Sequence, residues 1–226
     1  MENSQDGKNE TANDRPLTAA ESMPSGVRPS LFSSALCRLP AISLFLAIAF
    51  VGLTADLLTK YWAFQALGMP GEFKWETEPE LNAIYWIWQG VFGFQTTLNP
   101  GALFGILAGQ RNLLVGLSLV FLTGIATYLI FWAWRSLFLT AILGMITAGI
   151  CGNLYDRLGW HGLVYPEWHD LAGQPIYAVR DWVLCMIGTF PWPNFNIADA
   201  LLVSSVILLL LHGLLFEEKE EGNAAK

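Results

Sequence analysis

Long apolar runs dominate the chain between residues 39 and 216, and polar positions collect in the stretches between them. Leu39–Leu58 (LPAISLFLAIAFVGLTADLL) has about the length a helix needs to cross the hydrocarbon core of a bilayer, with Asp56 its only charge. A cleaved signal peptide is the competing reading, but the run is long and Lys60 follows it where a small-residue cleavage site would be expected. Leu113–Trp134 predicts a second span, Arg135 a tight turn, and Leu137–Tyr155 a third span running back, so that the two form a helical hairpin. Ile197–Phe216 predicts a fourth span, ended by the solvated run EEKEE. The pattern therefore predicts an all-α polytopic membrane protein whose four spans leave both termini on one side.

The flanks and loops refine this plan. Residues 1–38 are rich in Glu, Asn, Ser and Pro and lack apolar periodicity, so they cannot bury enough surface to offset the entropy of ordering and are expected to form a disordered tail. Residues 217–226 are expected to be a short charged tail. Seven Lys and Arg lie in the tails and the Arg135 turn against five elsewhere, a bias toward cytoplasmic termini. Loops 59–112 and 156–196 then share the extracytoplasmic face. The first carries short aromatic and β-branched runs broken by Gly and Pro, which predicts a small strand-rich cap at the membrane surface. The second is expected to be a periplasmic or interfacial loop.

Composition narrows the function classes. The chain is 54% hydrophobic, and its net charge of -7 is scattered over the tails and Glu72–Glu80, so no basic footprint for nucleic acid exists. Three cysteines without a C-x-x-C spacing suggest neither a disulfide framework nor a zinc site. His161, Glu167, His169 and Asp170 have the residue types of a metal site, but they sit in a polar loop and read as solvated residues. No metal or other cofactor is expected.

Ionisable groups within or at the end of a span are costly, and each demands a partner or a function. Asp56, Asn153, Asp156, Arg157 and Asp199 all fall at span ends, and in the four-span topology every one of those ends faces the same side. Asp56 and Lys60, spaced i, i+4 with the acid first, suit a helical ion pair and could be only an anchor. Asn153, Asp156 and Arg157 share one helical face, although Arg157 could simply snorkel. Asn196 and Asp199 have the spacing of a capping box, which explains the pair locally. Asp181, beside Arg180 in an apolar loop segment, could be an interfacial charge kept in water.

Five motifs, read in order, resemble those of the lipoprotein signal peptidase (signal peptidase II) family. The pattern D-x-x-T/S-K is matched by DLLTK at 56–60, and N-x-G-A-x-F-G/S by NPGALFG at 99–105. G-N-x-x-D-R is matched by GNLYDR at 152–157, V-x-D-F/W by VRDW at 179–182, and F-N-x-A-D by FNIAD at 195–199. The resemblance implies that Asp181 and Asp199 are the catalytic aspartates, with Asp156 in support. Asn99, Gly101, Asn153, Arg157, Asn196 and Ala198 would order the site or hold substrate, and Asp56 and Lys60 would shape the substrate-binding end of the first span. Two departures stand out: a long first loop over 68–98 and an insertion over 158–178, both bearing on substrate access rather than chemistry.

The implied activity is an aspartic endopeptidase of the bacterial inner membrane, functional as a monomer among membrane lipids. It would cut diacylglyceryl prolipoproteins on the N-terminal side of the lipidated cysteine. A small transporter or channel is the alternative, but such proteins place their polar groups near the midplane rather than at one end. No G-x-S-x-G or H-E-x-x-H motif supports another protease class.

Overall fold

The computed structural model describes residues 39–70, 84–101, 107–131 and 136–224. The tail expected over 1–38 lies outside the described residues, as do the acidic run of the first loop and the last part of the NPGALFG motif. Four helices are long and apolar enough to cross a membrane: α1 (Leu39–Leu67), α2 (Arg111–Phe131), α3 (Leu137–Arg157) and α4 (Ile197–Ala224, apolar through Leu214). Between them lie β1 (Tyr85–Trp88), β2 (Phe92–Asn99), β3 (Val179–Ile187) and β4 (Phe190–Phe195).

Helix α3 is the axis of the bundle and packs against α1, α4 and α2. Half of its apolar window is buried, against 6% for α2, whose exposed Val120 and Phe121 are the kind of surface that lipid would cover. Close approach along α3 depends on small residues. A Cβ at Gly149 would overlap the Ala198 carbonyl oxygen, and one at Gly152 would overlap the Asp56 carboxylate. Ser136 opens α3 by accepting the Leu139 N–H at 3.1 Å, a side-chain N-cap.

The four strands form one antiparallel sheet in the order β1-β2-β3-β4. Three features differ from the sequence expectation. The sheet draws on both loops, because β2 of the first pairs with β3 of the second, with Thr97 opposite Asp181 and Asn99 opposite Val179. The segment around Asp181 is therefore a strand rather than an interfacial loop. The first helix also continues past residue 58 to Leu67, because Ala63 and Phe64 are buried against Trp182 and Val183 of the sheet. At its far end α4 runs on through 217–224, where a separate charged tail was expected; Glu, Lys and Ala favour helix and propagation is easy once a turn exists.

The 158–178 insertion is turn-rich and closed by a single bridge between Val164 and Pro175. It is tied down by the buried Ile176 and by Tyr177, whose ring lies 4.2 Å from the Arg111 guanidinium.

Candidate functional site

The polar span-end residues meet where the sheet rests on the bundle. Asp181 enters from β3 and is 1% exposed. Asn99, at the end of the neighbouring β2, donates from its side-chain amide to Asp181 Oδ2 at 3.1 Å. Asn196, at the start of α4, donates to Asp181 Oδ1 at 2.6 Å.

Asp199 is in the first turn of α4 and completes a reciprocal cap with Asn196. The Asp199 N–H donates to Asn196 Oδ1 at 3.0 Å, and the Asn196 N–H donates to Asp199 Oδ2 at 3.3 Å. The capping box read from the sequence is thus present. Because its oxygen faces the Asp199 N–H, the Asn196 amide must turn its NH2 outward, and that group reaches both Asp181 and Asn153 Oδ1, the latter at 3.2 Å. Asn153 in turn donates to Asp199 Oδ1 at 2.7 Å. Cap geometry and the bridge between two carboxylates are one arrangement.

The remaining predicted residues surround this pair. Arg157 donates to the Gly101 carbonyl at 2.8 Å, so it is held by the β2 end rather than snorkelling free. Its Nε is buried without a partner among the described residues, and its charge lies in the field of Asp199, Asp181 and Asp156. The Gly101 N–H donates to Asn99 Oδ1 at 3.0 Å, which fixes the amide end that Asn99 presents to Asp181. Asp56, Lys60 and Asp156 are 0% exposed, as is Ala198, whose N–H donates to Asp56 Oδ1 at 2.9 Å.

One participant was missed. Arg180, named in the sequence only as the neighbour of Asp181, is 5% exposed and places Nε at 3.1 Å and a terminal nitrogen at 2.8 Å from Asp156 Oδ1. The signal was available: a charge inside an apolar segment requires a partner.

Burial pushes the Asp181 carboxyl up to about 8, and the nearby Asp199 charge adds to the rise, while the Asn99 and Asn196 donors and Lys60 oppose it. Burial therefore favours the protonated form of Asp181. In the insertion, His161 and His169 each spend Nδ1 on a backbone N–H two residues on, that of Leu163 and that of Leu171. Among the described residues no group of three or more His, Cys, Asp and Glu side chains is arranged to hold a metal ion.

Comparison with known proteins gives this arrangement its context. The family model described as signal peptidase (SPase) II matches residues 48–215, a range that contains every residue of the site. The chain belongs to the signal peptidase II family. It is accordingly a membrane peptidase. Among its relatives, the lipoprotein signal peptidase of Rhodopirellula baltica is 38% identical over 92% of this chain and 90% of its own length. That of Clostridium novyi is 30% identical over 73% of this chain and 93% of its own. A solved structure described as a bacterial membrane enzyme shares the fold, with a TM-score of 0.57 and 24% identity over 76% of this chain and 88% of that one.

Proposed function

We propose that this chain is an intramembrane aspartic endopeptidase that removes signal peptides from diacylglyceryl-modified prolipoproteins, cutting N-terminal to the lipidated cysteine with Asp181 and Asp199. The observation that carries the reading is the Asn196–Asn153 bridge, which joins two carboxylates from different elements. The substrate class follows from membership of the family and from the names of its relatives.

The two acids divide the work by environment. Asp199, in the first turn of α4 and bonded to the Asn153 side-chain amide and the Asn196 N–H, takes a proton from the attacking water. Asp181, kept protonated by burial, donates a hydrogen bond to the scissile carbonyl oxygen as negative charge develops there. Water oxygen bonds to the carbonyl carbon as the C=O π bond opens and the Asp181 proton passes to the carbonyl oxygen, giving a tetrahedral gem-diol. Collapse of that species returns that proton to Asp181, re-forms a carbonyl and breaks the C–N bond as the proton held by Asp199 passes to the departing amine. The Arg157 guanidinium, whose Nε has no partner among the described residues, would help to hold the substrate.

The same reading puts the termini in the cytoplasm, the sheet and insertion on the extracytoplasmic side, and the site at the outer surface of the bilayer, within reach of a substrate anchored by its signal helix and acyl chains. One monomer holds all of the residues named. The test is cleavage of a purified diacylglyceryl prolipoprotein by the purified protein, run beside Asp181→Asn and Asp199→Asn. Normal processing by either variant would refute the pair.

A further inference from the structure

Asp181 and Asp199 each follow a residue whose backbone N–H is held by a buried carboxylate. The Ala198 N–H donates to Asp56 Oδ1 at 2.9 Å, and the Arg180 N–H donates to Asp156 Oδ2 at 3.0 Å. These two carboxylates, on different helices, converge on one ammonium: Lys60 Nζ lies 2.7 Å from Asp56 Oδ2 and 3.2 Å from Asp156 Oδ2. Its third contact is Asn153 Oδ1 at 3.1 Å. An ammonium has three hydrogens and accepts nothing, so these contacts fill its capacity and oblige Asn153 to face it with oxygen. The Asn153 NH2 is thereby turned toward Asp199.

We propose that Asp56, Lys60 and Asp156 form a clamp that sets the separation of Asp181 and Asp199 by fixing the main chain immediately before each. The proposal rests on the two-aspartate reading and gives the three residues a positioning role in place of the substrate-shaping role that the sequence suggested for Asp56 and Lys60. All three side chains are 0% exposed and spend their charged groups on one another. Arg180, bonded to Asp156 Oδ1, balances the group at two carboxylates and two cations, which makes its desolvation tolerable. Removing the ammonium would remove the bridge that ties Asp56 to Asp156. Each carboxylate carries a backbone N–H, so their parting would move β3 and the start of α4 relative to one another.

The test compares Lys60→Met, the double variant Lys60→Met/Asp56→Asn, and the two catalytic Asp→Asn variants in cleavage of a diacylglyceryl prolipoprotein, with thermal unfolding measured for each. Lys60→Met is expected to lower kcat about a hundredfold while KM moves by less than about threefold, the signature of misplaced reacting groups with binding intact. The double variant restores electroneutrality and keeps an oxygen for the Ala198 N–H, so its melting temperature should recover toward the parent while kcat stays low. A double variant that cleaves at the parent rate would show that Lys60 serves only charge balance and would overturn the clamp, as would a Lys60→Met defect confined to KM. Parent-like cleavage by Asp181→Asn or Asp199→Asn is a separate failure, that of the two-aspartate reading.

Discussion

Gly152 lies so close to Asp56 that a methyl group at its Cα would overlap the carboxylate Oδ2 and crowd the Ala198 Cβ. The glycine of the GNLYDR segment is thus required by contact between α1, α3 and α4, and not by any turn. Gly152→Ala should displace a buried ion pair and cost about 1–3 kcal/mol, as overpacking does in tight cores. Thermal unfolding in detergent measures this, and an unchanged midpoint would contradict the packing.

The acids of the site should separate by role. Asp181→Asn and Asp199→Asn should each lower the cleavage rate by about 10²–10⁴-fold, the range for loss of a general acid or base. Asp156→Asn retains an oxygen for the Arg180 N–H while losing the charge that holds the guanidinium, so it should weaken cleavage less and cost stability instead. Initial rates and melting curves on the same preparations distinguish the two patterns.

The protonated state of Asp181 has a pH signature. Its folded value, about 8, lies above the unfolded 3.8, so the stability associated with this group is fully present below pH 3.8 and is lost as pH rises through about 8. Activity should decline across the same alkaline range as the acid ionises. Asp181→Asn should therefore unfold at a higher temperature than the parent at pH 7 while cleaving poorly. Equal melting temperatures would argue against a neutral Asp181.

His161 gives the opposite sign. Burial holds its imidazole below the ordinary value of 6.5, and Nδ1 accepts the Leu163 N–H at 3.0 Å. The stability it contributes is present above pH 6.5 and is lost as pH falls through the lowered folded value, because the proton must occupy the nitrogen that holds Leu163. Protection of the amides in residues 158–178, taken relative to the intrinsic exchange rate at each pH, should fall on acidification, and a His161→Phe variant should reduce that dependence. Protection in this segment that ignores pH would count against the assignment.

Much of this protein is written in local sequence. Four apolar runs long enough to span a bilayer specify the helices, because length and hydrophobicity are what a membrane reads. The capping box of Asn196 and Asp199, the i, i+4 pair of Asp56 and Lys60, and the common face of Asn153, Asp156 and Arg157 follow from helical periodicity alone. Motif order supplied the choice of Asp181 over Asp156. Tertiary structure decided the rest, because those decisions depend on contacts between distant segments. Strand β3 is buried without alternation, so its sequence looks like an apolar loop until β2 pairs with it. Arg180 reads as a wetted charge until α3 brings Asp156 beneath it. The extension of α1 to Leu67 is stabilised by the sheet it supports. An ammonium on one helix that ties two carboxylates to the main chain before two others is invisible along the chain, since hydrogen-bond partners separated by as many as 142 positions are chosen by packing and not by propensity.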